Sequence, residues 1–181
     1  MGDDPVVDAV RRLDADLAGH DASDAAEVEA VARIRAFLAA SAAPFDRRTL
    51  PGHLTGSAFV VDDDGRLLLH HHRRLGLWLQ LGGHADGETD TAAVARREAG
   101  EESGLVDLAF HPQLVAADGR PRPLDVDVHG IPPGGGMPAH LHFDLRYLLT
   151  TRDPTSARHA EAESHGLEWV TLSEARRRCD A

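Results

Sequence analysis

Apolar residues recur at helical spacing through the first forty positions of the chain. Val6, Val7, Val10 and Leu13 form one stripe behind Pro5, a good first-turn residue, with Asp3 and Asp4 ahead of it. Gly19 to Ser23 interrupts the pattern, and Asp21 or Ser23 is the expected cap of a second helix. That helix carries Val28, Val31, Ile34 and Leu38 on one stripe and ends before Pro44. From residue 54 the period changes to two. Residues 54–62 read as a strand, Asp62 to Gly65 as a hairpin turn, and Arg66 to His72 as the returning strand. Leu75 to Leu81 is a third extended run, with Trp78 and Gln80 on one face and Leu77, Leu79 and Leu81 on the other. Trp78 then either stacks on a ligand's base or packs in a second core layer.

A short helix follows, and residues 106–116, with Phe110, Leu114 and Val115, read as another strand. Two further runs alternate strictly. Asp125, Asp127 and His129 share one face of their strand; His140, His142, Asp144 and Arg146 share one face of the next. The segment between them, Gly130 to Ala139, is rich in glycine and proline and long for a tight turn. Pairing 129 with 140 sets 127 against 142 and 125 against 144, two polar rows side by side. A polar loop, Thr151 to His165, leads to a last strand, Leu167 to Val170. Ser173 is the expected cap of a closing helix, with Glu174 in its first turn. This order predicts an α/β fold, a mixed sheet between helices.

Composition narrows the partners. The 181 residues suit one domain with some decoration. A formal charge of −11 leaves no large basic patch for a nucleic-acid backbone. No apolar stretch approaches membrane-helix length, and MGDDP has no signal-peptide pattern. The single cysteine, Cys179, cannot form an internal disulfide, so we expect a reducing, cytoplasmic setting. The two N-terminal helices carry no chemistry and read as packing or homodimer elements.

The chemistry concentrates between Leu81 and Leu105. Gly82 and Gly83 follow an apolar run, and Glu98, Glu101 and Glu102 then share one face of a short helix. Three like charges within a turn raise one another's pKa unless a cation sits among them, and Mg²⁺ prefers such oxygen ligands. Gly104 is placed to end the helix. This stretch resembles the Nudix box, Gly-x5-Glu-x7-Arg-Glu-apolar-x-Glu-Glu-x-Gly-apolar. Gly83, Arg97, Glu98, Ala99, Glu101, Glu102, Gly104 and Leu105 fall in register. The first Glu of the pattern is Thr89 here, with Glu88 one place earlier. In the family that Glu is mainly a partner of the box arginine, so the departure concerns loop geometry more than metal.

The resemblance implies a Nudix α/β/α sandwich over residues 51–181, with residues 1–50 as a helical extension. It also implies hydrolysis of a diphosphate bond in a nucleoside diphosphate linked to another moiety. The implied ion is Mg²⁺, with Mn²⁺ as an alternative, held by Glu98, Glu101, Glu102 and the Gly82 carbonyl, with Arg97 orienting the glutamates. The water-activating base is sought in the 151–165 loop, at Glu161 or, for preference, Glu163. Around the box, Arg74, His84, His142, Asp144 and Arg146 are candidates to contact substrate. His70, His71 and His72 alternate along their strand and are not expected to share a site. His129, His140 and His142 have a spacing that could hold Zn²⁺, line the cleft, or form a hydrogen-bonded ladder. A rival function on the same fold is a catalytically silent nucleotide sensor, which the presence of all three glutamates disfavours. Isoprenoid diphosphate isomerisation would want a cysteine in the cleft, and Cys179 lies in the closing helix.

Overall fold

The computed structural model describes residues 4–134 and 136–179; Asp3, read as flanking the first helix, lies outside them. Helix α1 spans Pro5–Ala18, opened by Asp4, whose side chain accepts from the Val6 amide at 2.9 Å. It buries Ala9, Leu13 and Leu17, while Val7 stays 43% exposed. Helix α2 spans Ala25–Ala40, and its cap is Asp24, not Asp21 or Ser23. Asp24 stands three residues before Glu27 and accepts from the Glu27 amide, while Glu27 reaches back to the Ser23 amide. The buried stripe is accordingly Glu27, Ala30, Ile34, Phe37 and Leu38, and Val28 points outward.

Eight strands form one sheet: β1 (Gly52–Val61), β2 (Leu67–His72), β3 (Trp78–Leu79), β4 (Leu81–His84), β5 (Ala109–Phe110), β6 (Asp125–Ile131), β7 (His140–Thr150) and β8 (Ser164–Val170). Helix α3 (Thr91–Ser103) lies between β4 and β5, and α4 (Leu172–Cys179) closes the chain. The long central pair is β1 and β7, parallel from Gly52 opposite Leu141 to Val61 opposite Thr150. The expected strand at 106–116 shortens to β5, because Pro112 opens a 3₁₀ turn through Leu114. Thr171 rather than Ser173 caps α4: the Glu174 amide donates to its hydroxyl, and its own amide donates to the Glu174 carboxylate at 2.8 Å.

The β1–β2 hairpin opens as a fork. Its strands pair only at Val60 with Leu68 and Val61 with Leu67. β7 occupies the other edge of β1 and β8 the other edge of β2. Beyond the pairing, β3 continues the inner edge of β2 and β4 continues the inner edge of β1. The single extended run expected over 75–81 is therefore broken at Gln80, where the chain crosses from one prong to the other.

The two faces of the sheet differ. Leu54, Ala58, Val60, Phe143, Leu145, Tyr147 and Leu149 pack in one core with α1, α2 and α3; Phe37 stacks on Phe143 at 4.2 Å between ring centroids. On the opposite face, Leu67, Leu69 and Val170 pack with Ala175 of α4, joined by Phe59, Val61 and Trp78. Trp78 belongs to this second layer, stacked on His71 with the Arg178 guanidinium 5.0 Å over its ring. The rest of that face, beginning His53, Thr55, Ser57 along β1, is polar and walls a cleft.

Candidate active site

The cleft measures about 620 Å³, and α3 meets β4 along it; Gly82 and Gly83 lie within that strand, opposite Ser57 and Gly56, and not in a turn. Asp90 opens α3 by accepting from the Ala92 and Ala93 amides, and Gly104, at φ +69°, ends it. Within that helix, Glu98, Glu101 and Glu102 all line the cleft. A Cβ at Gly83 would push the Glu98 carboxylate aside, so the β4 glycines lie directly against the acidic turn of α3.

Glu102 is the most enclosed of the three, 4% exposed. Its carboxylate accepts from the Gly82 amide at 2.8 Å. Burial pushes its carboxyl up to about 8, and Glu163 and Glu98 nearby push in the same direction. Burial likewise raises Glu98 despite its bond from Arg97. His70 Nδ1 stands 3.3 Å from the other Glu102 oxygen, but burial holds that imidazole down at about 4, so it brings no positive charge at neutral pH. Arg97 serves the outer acids. It donates to Glu98 at 2.7 Å, to Glu101 at 3.4 Å and to the His84 carbonyl at 3.2 Å. Its Nε reaches Glu88 at 3.3 Å, so the glutamate displaced by one position from the pattern still meets the arginine.

Glu163, from the loop before β8, lines the cleft beside Glu102; Glu161 does not line it. Arg73, Arg74 and Arg47 also line it and bring positive charge beside the acids. His70 and His72 face the cleft, whereas His71 points to Trp78 and His165, the alternation that period two requires.

The polar strand rows need two corrections. β6 and β7 pair with His129 opposite His142, Asp127 opposite Asp144 and Asp125 opposite Arg146. The register is two residues from the expected one; parity keeps the face and changes every partner. Arg146 is consequently surrounded by acids, donating to Asp125 at 2.8 Å, Asp127 at 2.6 Å and Asp144 at 3.3 Å, and it does not line the cleft. As a substrate contact it is replaced by a structural role. Asp144 is buried and accepts from the Thr55 and Ser57 hydroxyls at 2.8 and 2.7 Å.

The histidine grouping also changes. His53, His84 and His142, not His129, His140 and His142, bring nitrogens within 4.8 Å of one another. His129 and His140 sit in an outer ring around His142, centroids 5.5 and 5.3 Å away. The sequence reading began the strand at residue 54 and so left His53 out. Extending the alternation of Thr55 and Ser57 back by one step would have included it.

The mixed sheet, the glycines of β4 and the acidic helix meet at one cleft in an α/β fold. A family model described as the NUDIX domain matches residues 52–181, and the chain belongs to that family. Among solved structures, a C. elegans Ap4A hydrolase binary complex is similar at 17% identity, TM-score 0.53, over 71% of this chain and 86% of that one. An E. coli dihydroneopterin triphosphate pyrophosphohydrolase gives 13% identity and TM-score 0.51 over the same shares, 71% and 86%. A NUDIX family hydrolase from Clostridium perfringens has 29% identity and TM-score 0.46, covering 69% and 85%. No curated protein matches the sequence significantly. No helix among the described residues is long and apolar enough to cross a membrane.

Proposed function

We propose that this hydrolase is Mg²⁺-dependent and cleaves the diphosphate of a nucleoside diphosphate linked to another moiety. The observation that carries the reading is the meeting of Glu98, Glu101, Glu102 and Glu163 beside Gly82 and Gly83 of β4 inside one cleft. The donor set fits the ion: hard carboxylate oxygens, with Glu102 in contact with no positively charged side chain among the described residues. Glu98, Glu101 and Glu102, with the Gly82 carbonyl, would hold Mg²⁺, or Mn²⁺ in its place. Such an ion neutralises phosphate charge and lowers the pKa of bound water, worth several kcal/mol.

The chain's own residues do the rest. Arg97 fixes Glu98 and Glu101 in place and leaves the substrate to other arginines. Glu163 is the group to accept the proton of the attacking water, since it alone of the two loop acids reaches the cleft. Arg74, with Arg73, faces the cleft to meet phosphate oxygens, and His84 and His142 border the same space. Asp144 acts from the wall by fixing Thr55 and Ser57.

The test is a panel of nucleoside diphosphate derivatives incubated with enzyme and Mg²⁺, with products resolved by ion-exchange chromatography. Cleavage at a phosphoanhydride bond that falls by at least about 100-fold in Glu101→Gln, roughly 3 kcal/mol of barrier, supports the reading. Metal-dependent turnover that survives the substitution overturns it.

A further inference from the structure

The other end of the cleft carries a second donor set of a different kind. His142 lies opposite His53 in the parallel β1–β7 ladder, and His84 lies opposite Thr55, one step along the same face of β1. Three adjacent strands therefore bring three imidazoles to one corner. His53 is 1% exposed, and its Nε2 has no hydrogen-bond partner; the buried Nε2 of His142 has none either. A buried polar atom left unpaired costs about 1–3 kcal/mol. His53, His84 and His142 each bring a ring nitrogen within 4.8 Å of the others, and with two buried nitrogens of that group unpaired the corner calls for a ligand.

We propose that His53, His84 and His142 form a binding site for one divalent transition-metal ion of the Zn²⁺ class, distinct from the glutamate site. Imidazole nitrogen suits such ions and not Mg²⁺. Three histidines leave a position open for water or a substrate oxygen, and His84 and His142 place it at the cleft. The surroundings agree. His53 Nδ1 is 3.5 Å from the Thr49 carbonyl, which puts the ring proton on Nδ1 and the lone pair on the unpaired Nε2. Arg47 donates to His84 Nδ1 at 2.9 Å and is itself paired to Asp86. Binding through Nε2 of His84 moves the ring proton to Nδ1, which releases the Arg47 contact there and leaves Arg47 paired to Asp86.

The outer histidines have partners of their own: Asp127 for His129 and the Pro138 carbonyl for His140, both at 2.8 Å.

The experiment uses untagged full-length protein, purified without chelator, and two readouts that need no turnover. Elemental analysis after Zn²⁺ dialysis is expected to give one ion per chain. Co²⁺ titration is expected to give the intense visible bands of a four-coordinate imidazole complex. His84→Gln and His53→Ala should each weaken uptake by roughly 100-fold, since loss of an outer-shell partner alone costs about 10–100-fold. His84 is the less buried, so its variant remains informative if His53→Ala does not fold. A double Glu98→Gln, Glu101→Gln variant should retain the Co²⁺ spectrum. Absent or six-coordinate Co²⁺, unchanged uptake by folded His84→Gln, or loss of uptake in the glutamate variant would each overturn the site. Because metal content is measured apart from hydrolysis, failure here leaves the hydrolase reading standing, and the reverse also holds.

Discussion

Two ends of one cleft bury ionisable groups with opposite results. At the acidic end, burial raises Glu102 to about 8 and Glu98 above its usual range. At the imidazole end, the same loss of solvent lowers His84 to about 4 and His142 to about 2. Each end holds a buried donor group, one of hard oxygen around Glu102 and the other of nitrogen around His142. A third place completes the contrast. Glu27 is as buried as Glu102, yet its pKa falls, because hydrogen bonds from the Ser23 amide and His20 outweigh the burial that would raise it. The Val126 amide adds a further bond. Burial alone does not mark a site; burial without partners does.

The largest expected effect breaks the acidic end. Glu102→Gln should lower kcat/KM for diphosphate cleavage by about 1,000-fold, roughly 4 kcal/mol, in a Mg²⁺-dependent steady-state assay. A loss below tenfold would remove Glu102 from the working set. Arg146→Met comes next, leaving Asp125, Asp127 and Asp144 without their shared cation. Stability should fall by about 3–5 kcal/mol, seen as a thermal midpoint lower by about 10 °C. A midpoint within two degrees of the parent, about 0.5–1 kcal/mol, would show the acids need no such partner.

Those two effects bear on what the sequence could disclose. Glu98, Glu101 and Glu102 are read from helix geometry alone, because their alignment depends on one turn of one element. Arg146 and His53 are not. Both depend on strand register, and β1 meets β7 across nearly ninety residues, as Thr55 opposite Asp144 shows. Period two sets which face a residue takes, and it correctly put His142, Asp144 and Arg146 on one side. It does not set the neighbour, so a shift of two residues moves Arg146 from an expected substrate contact into a ring of carboxylates. Helix caps show the same limit: Asp24 and Thr171 won over nearby candidates because each stands three residues before a glutamate that answers it.

Two smaller effects sharpen the contrast. Glu27→Gln should destabilise by about 1–3 kcal/mol at pH 7, measured by urea unfolding. Glu27 has a depressed pKa, so its contribution is fully present above the unfolded value of 4.5 and is lost as pH falls through the lower folded value. The gap between parent and variant should therefore close below pH 4.5; a gap constant from pH 7 to 3 would contradict the assignment. Smallest is Glu88→Gln. Its bond to Arg97 is partly solvated, and Arg97 keeps Glu98, so the change in kcat should stay near threefold, under about 1 kcal/mol. A much larger fall would make the displaced glutamate a full substitute for the residue missing at Thr89.

The fork between β1 and β2 has a consequence for how this enzyme changes its diet over evolution. Each prong is laced along its outer margin to a neighbour, β7 or β8, and lined on its inner margin by β4 or β3. Squeezing the prongs together would tear backbone ladders, so the gap behaves as a fixed jaw. Selectivity for new leaving groups must then be tuned at the rim, in the Arg73–Leu75 turn and at the β6 end around Ile131, while the floor stays constant.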